Sequence, residues 1–216
     1  VFFMARRSNF FSPWLASILI VALISFGSLP GTARADEFGD GAMNFIKGVT
    51  EDAITMLTVK DITKAERADR FRTLMHKNFA LKGIAKFVIG RHWRKASDEV
   101  KSEYLKLFED LMVVIYAERF EKYSGEKLLV KRVEVRNKKD ALVYTTMVKA
   151  NDGAKPLKVN WRVRQKNGVY TIIDVMVEGI SMIMTQKSEF SSFIKSNGGE
   201  LNPLLVELKK RIKDNY

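Results

Sequence analysis

Few side chains in this sequence stand at spacings that could do chemistry. It has two histidines, His76 and His92, and no cysteine. Neither histidine has a carboxylate or a second histidine at ligand spacing, and HExxH does not occur, so no metal site is expected. Thiol nucleophiles are excluded outright, and no glycine-rich phosphate loop occurs. Gly179-Ile180-Ser181 begins like the turn that presents a serine nucleophile. Ile183, however, stands where the closing glycine belongs, so Ser181 reads as a turn or cap residue. Asp174 and Glu178 share one face of a strand pattern. Four residues along a strand is about 13 Å, too far for two carboxylates to share one reaction. Asp174 lies among apolar neighbours and reads as an acceptor of structural hydrogen bonds. Nothing in this inventory calls for a cofactor or a catalytic residue, and the chain is not expected to be an enzyme.

Apolar residues are plentiful instead, and their periods define the elements that carry them. Phe45, Ile46, Val49, Ala53, Ile54 and Leu57 recur at helical spacing. A second helix is expected over about 64–75 and a third over 81–89, stopped by Gly90. Ser97 reads as the N-cap of a long helix ending near Tyr123, with Asp98 and Glu99 in its first turn. Its segment 112–116 is apolar on every side, which a helix wetted on one face would not be. After Gly125 the period changes to two. Strands are expected from Leu128 to the charged turn Asn137–Asp140, over 141–149, over 157–164 and over 169–178. Asn167-Gly168 is a strong two-residue hairpin turn. Helices follow over 185–196, closed by Gly198-Gly199, and over 203–213. The order helices, sheet, helices gives an α+β fold: a four-stranded antiparallel curved sheet packed with about six helices. Such an arrangement readily encloses an apolar cavity, though composition alone does not separate cavity from core.

The first residues read as an export signal. Arg6 and Arg7 precede an uncharged run, Trp14 to Phe26, of the length of a signal-peptide core. Gly27, Pro30 and Gly31 are expected to break any helix there. Ala33-Arg34-Ala35 has the small-x-small form of a cleavage site, which places the cut before Asp36. Residues 1–35 are then a leader and 36–216 a single domain. The alternative is a membrane anchor, since nothing between Arg7 and Arg34 is charged. The formal charge is +12, and +9 without Arg6, Arg7 and Arg34. A surface that basic suits anionic membranes or acidic partners, or serves solubility alone; export argues against nucleic acid.

An ordered set of short motifs carries a family resemblance. Phe87-Val88-Ile89-Gly90-Arg91-His92-Trp93 comes first, then Tyr104-x-x-Leu107-Phe108. Tyr116-Ala117-x-Arg119-Phe120-x-x-Tyr123-Ser124-Gly125-Glu126 follows. Val159-x-Trp161-Arg162-Val163 and Ile173-Asp174-Val175-x-Val177-Glu178-Gly179-Ile180-Ser181-Met182 come next, then Gln186-Lys187-Ser188-Glu189-Phe190 and Gly198-Gly199. Together they resemble the MlaC family of periplasmic phospholipid-binding proteins, also called toluene-tolerance auxiliary components of ABC transporters. Two positions depart from the family: Lys187, where arginine is commoner, and Ala80-Leu81, where an aspartate often follows the phenylalanine matching Phe79.

The resemblance implies a periplasmic lipid carrier. It would hold phospholipid acyl chains in an apolar pocket and shuttle lipid between an outer-membrane lipoprotein–porin complex and an inner-membrane ABC transporter complex. A hopanoid or other lipid as cargo, or a small enzyme of similar cone-shaped fold, is the alternative. Ten residues are expected to line the pocket by their apolar alternation or helical spacing. Leu107, Leu111, Val114 and Ile115 lie on the long helix, and Val159, Trp161, Val163, Met176, Ile180 and Ile183 lie on the sheet and just beyond it. Lys158, Asn160, Arg162 and Arg164 should meet solvent instead.

Overall fold

Helix α1 runs Pro30–Leu57 and presents Phe38, Ala42, Ile46, Val49, Ala53 and Leu57 as one buried stripe. Steps of three and four residues keep these side chains on one face. The computed structural model describes residues 30–137, 139–149 and 155–215, with side chains from Glu37 onward; the run Trp14–Phe26 of the expected leader lies outside them. Pro30 and Gly31 do not break this helix but open it, because the first turn needs no N–H from proline. The expected cleavage segment Ala33-Arg34-Ala35 is therefore helical. At the other end of α1, the orphan carbonyls find donors on the next helix. The Nε of the buried Arg67 donates to the Leu57 carbonyl at 3.1 Å, and Arg70 donates to the Met56 carbonyl at 3.0 Å.

Helix α2 (Lys64–Asn78) is capped by Thr63, whose hydroxyl accepts from the Glu66 N–H at 3.1 Å. Helix α3 (Leu81–Ile89) stops at Gly90, whose φ of 54° suits glycine. A 3-10 segment, Gly90–Lys95, leads to α4 (Asp98–Tyr116), capped by Ser97 as expected. This helix ends earlier than its pattern suggests: its last turns tighten into the 3-10 segment Ala117–Phe120. Helices α5 (Met182–Ser196) and α6 (Asn202–Asp214) close the chain.

Strands β1 (Lys127–Val135), β2 (Asp140–Val148), β3 (Leu157–Lys166), β4 (Val169–Val177) and β5 (Ile180–Ser181) form one antiparallel sheet in chain order. The sheet thus has five strands rather than four. Glu178 and Gly179, at φ 48° and 84°, make a second two-residue turn of the kind made by Asn167-Gly168 at 51° and 80°, and send the chain back for one more short pairing. The fold is α+β, as its element order predicts.

Three apolar clusters hold the chain together. One lies among α3, α4, α5 and α6, around Tyr104, Phe108, Phe190, Leu204 and Leu208. Another lies between the first half of α1 and one face of the sheet, and the third joins the end of α1 to α2 and α4. Helix α1 approaches the sheet closely because it carries glycines there. A Cβ on Gly41 would collide with the Tyr170 hydroxyl, and one on Gly39 would stand 3.1 Å from Val133. Tyr170 stacks between Phe38 and Phe45, with both ring centroids 5.9 Å away.

Candidate functional site

Strand pairing arranges the sheet face beneath α1 into four transverse apolar rows. The first is Val135, Ala141, Val163 and Ile172, and the second is Val133, Val143, Trp161 and Val175. The third is Val130, Thr145, Val159, Val177 and Ile180, and the fourth is Leu128, Met147 and Leu157. Burial falls along this series. Ala141, Val163 and Ile172 are wholly buried, Val159 is 5 % exposed, Leu157 is 37 % and Ile180 is 60 %. Helix α1 packs on Ala141, Val143, Val163 and Ile172 of the first two rows, with Leu128 and Val130 half-buried against the same cluster, and the face opens to solvent toward Leu157 and Ile180 as a seam.

One polar group interrupts this surface, and it is satisfied internally. The Trp161 indole N–H donates to the Thr145 hydroxyl at 3.1 Å, and that hydroxyl donates to the Val159 carbonyl. Thr145 is 2 % exposed, so the relay lets a strand carrying a hydroxyl stay dry. None of the residues in the four rows is titratable; beyond them the Tyr170 phenol, set against α1, is raised in pKa chiefly by burial and then by Glu37. Nothing there offers an acid–base pair.

The ten residues expected to line a pocket do not share one surface. Val159, Trp161, Val163 and Ile180 lie together on the inner face. Met176 does not: it pairs with Asn160 and Ser181 and so projects from the opposite face. The cause is a bulge. Arg162 pairs with Asp174 and Val163 with Ile172, so Ile173 is an extra residue that flips the alternation of β4. Unbroken alternation would put Ile172 and Tyr170 on the side of Met176, whereas the bulge carries them to the side of Val175 and Val177. On α4, Leu107 and Leu111 are buried in the helical cluster with Ile115 against it, packed on α3, α5 and α6. Val113 joins the cluster of α1 and α2, and Val114 is buried yet belongs to none of the three. At 100° per residue Val114 points between its neighbours' two clusters, which is why segment 112–116 needs no wettable side. Val159 shares this property of being buried outside all three clusters. Ile183 is half-buried, and its N–H donates to Asp174 at 3.3 Å.

Residues that the strand patterns alone did not single out complete the seam: Thr145, Met147, Leu157 and Val177. Their alternation was visible, but choosing them requires the register that pairs them with Val159 and Leu128.

The opposite face of the sheet is polar. Lys158, Arg162 and Arg164 are exposed and Asn160 is half-buried, as expected. Beneath the arginines lies the Asp140 carboxylate, only 3 % exposed, which accepts two bonds from Arg164 at 2.6 and 2.8 Å and one from Arg162 at 3.3 Å. The Arg164 hydrogen bonds hold its pKa below the usual aspartate value. Asp174 is structural as expected. It accepts the Ser181 hydroxyl at 2.6 Å, and that same hydroxyl caps α5 by accepting the Met184 N–H at 3.2 Å. Ser181 is therefore committed to a cap and not exposed as a nucleophile. His76 is exposed and hydrogen-bonded to Glu109 at 3.0 Å. Neither of two surface clefts is the enclosed apolar cavity expected. One, of about 510 Å³, is lined by Arg91, His92, Lys95 and Ser97 with the Gly198–Gly199 turn, and the other by Asn137, Lys139, Asp140 and Arg164. At Leu157 and Ile180 the apolar surface between sheet and helices reaches solvent.

Similarity to known proteins points the same way as this geometry. The family model described as MlaC protein matches residues 47–210. The intermembrane phospholipid transport system binding protein MlaC of Haemophilus influenzae is 25 % identical over 126 residues, which are 57 % of this chain and 58 % of that protein. The match thus spans less than two thirds of that relative's length. A solved structure of a phospholipid-binding protein from Ralstonia solanacearum, in complex with a phospholipid, superposes with a TM-score of 0.69 at 20 % identity. It covers 81 % of this chain and 98 % of its own, a likeness of fold.

Proposed function

The chain belongs to the MlaC family, and from that premise we propose that it is a periplasmic phospholipid carrier whose acyl-binding surface is the seam of the inner sheet face. The observation that carries this reading is the graded burial of one continuous apolar face, sealed under α1 and open at Leu157 and Ile180. A solid core has no reason to leave its apolar rows half-finished. An acyl chain laid along Val159, Val177, Leu157 and Met147 would complete them.

Physics makes such a carrier useful. Each methylene removed from water contributes about 0.8 kcal/mol, so a lipid with about thirty of them almost never crosses water alone. A surface as apolar as a bilayer makes each hand-over nearly isoenergetic, and docking or ATP use elsewhere can set direction. The reading needs no catalytic residue. The route we assign, between an outer-membrane lipoprotein–porin complex and an inner-membrane ABC transporter complex, follows the family.

Residues 1–35 are read as a leader removed before Asp36. Cleavage there leaves Glu37 in the first turn of α1, where a negative side chain favours the helix dipole. N-terminal sequencing of protein from the native periplasm should find Asp36 first; an intact Trp14–Phe26 segment in a membrane fraction contradicts export by cleavage. Mass spectrometry of the natively purified protein should find co-purifying phospholipid. A protein that never carries lipid, whatever the host, contradicts the carrier reading.

A further inference from the structure

Beyond the seam, one side of the helical layer combines exposed apolar groups with an unbroken run of positive charge. Between Lys77 and Ser97 the chain has no acidic residue, yet it carries Lys82, Lys86, Arg91, Arg94 and Lys95. None of these takes part in the ion pairs among the described residues. Two aromatic residues of this stretch sit beneath cations: Lys86 lies 4.8 Å and Lys101 5.8 Å from the Trp93 ring centre, and Lys187 of α5 lies 4.1 Å from that of Phe87. Phe87 is 41 % exposed and Met184 is 52 %. Met184 stands three residues before Lys187 on α5, so the two are neighbours on the helix surface. Ile180, which ends the third apolar row of the seam, lies one turn of chain before Met184. The patch therefore leads from the open seam, through Ile180 and Met184, to Phe87 and the basic stretch. The one acid on α5, Glu189, is already paired with Arg211, and Glu200 is the one acid lining the cleft beside Arg91 and Lys95.

We propose that α3, the Gly90–Lys95 segment and the first turns of α5 form a docking surface for an anionic phospholipid membrane, which turns the seam toward the bilayer. The chemistry matches on both counts. Lysines and arginines meet the negative surface potential, and Phe87, Met184 and Ile180 enter the boundary between head groups and acyl chains. Val169 and Val206 are more exposed than these residues, at 62 % and 67 %, but lie outside this patch and serve as controls. The inference deepens the carrier reading and rests on it for its biological sense.

Co-sedimentation of the mature chain with phosphatidylcholine vesicles, and with vesicles to which phosphatidylglycerol has been added, tests it. Binding should require the anionic lipid and fall as salt rises. Each cation neutralised, as in Lys82→Gln, Arg91→Gln and Lys187→Gln, should lower partition about fivefold. The double variant Phe87→Ser, Met184→Ser should lose binding, while Val169→Ser and Val206→Ser keep it. Native lipid content, measured on the same samples, should stay at the wild-type level throughout. A folded wild-type chain that carries lipid but ignores anionic vesicles overturns the docking surface and hands it to an acidic protein, while leaving the carrier reading standing. Unchanged vesicle binding by the double variant overturns it as well. Vesicle binding by a chain that never carries lipid supports the docking surface while the carrier reading falls.

Discussion

The helical cluster and the inner sheet face use the same kinds of side chain to opposite ends. Among α3 to α6, large residues are finished off: Tyr104 is wholly buried, and its hydroxyl donates to the Ala85 carbonyl at 2.9 Å. Burial drives the phenol's pKa far up, so it stays a neutral donor. On the sheet face, Val163 and Ile172 are equally buried under α1, but two rows away Ile180, and three rows away Leu157, reach solvent. The first region spends its apolar surface on its own fold. The second keeps part of it for something else. Burial along paired rows, more than composition, distinguishes a core from a binding surface.

Changes in the helical cluster should cost most. Phe190→Ala removes a 1 % exposed ring that meets Phe108 edge-on, and should lower folding stability by about 3 to 5 kcal/mol in denaturant titration. Lipid bound per folded molecule should not change. A loss below 1 kcal/mol would mean this region is loosely packed and the contrast false.

Asp140 holds the polar face together. Asp140→Asn should cost about 2 kcal/mol at neutral pH, since it removes charge-assisted bonds to a buried oxygen pair. The native pKa is depressed, so the carboxylate's contribution is fully present above its unfolded pKa of about 4 and is lost as pH falls through the native value. The gap between wild type and variant should therefore be constant from neutral pH down to about pH 4 and close below it. A gap independent of pH in that lower range would show that the pairing with Arg164 is not its source.

The seat of α1 comes next. Gly41→Ala drives a methyl group into Tyr170, which Phe38 and Phe45 hold from both sides, and should cost about 1 to 3 kcal/mol. Gly48→Ala, where nothing stands within 4 Å, should be neutral or slightly stabilising. Equal effects of the two would deny that α1 is pressed onto the sheet at Gly41. Smallest should be Thr145→Val, about 1 kcal/mol, from the lost relay between Trp161 and Val159.

Much of this was legible before any coordinates. The Ser97 cap, the stop at Gly90 and the Asn167-Gly168 turn act within a few residues, where sequence and conformation are tightly linked. The α+β order followed from the change of period at Gly125. The candidate site was legible only in part. Val159, Trp161 and Val163 share one face, as the clean alternation of β3 predicts. Met176 lies on the opposite face because of a bulge at Ile173, which leaves no mark in the apolar pattern of a strand with apolar residues on both faces. Leu107 and Leu111 belong to the helical cluster because α3, α5 and α6 compete for the same helix face, a choice that depends on contacts far apart in the chain.

The contrast is tested most directly by placing a charge at the open end of the seam, where folding tolerates it. Leu157 is 37 % exposed and Val177 is half-buried, so Leu157→Asp and Val177→Asp should fold. A carboxylate beside acyl chains must shed water, at a cost of several kcal/mol. Lipid per protein, measured by mass spectrometry with circular dichroism as the folding control, should drop to near zero in both variants and stay at the wild-type level in Val169→Asp. Full lipid occupancy in folded Leu157→Asp and Val177→Asp would contradict the seam as the acyl-binding surface.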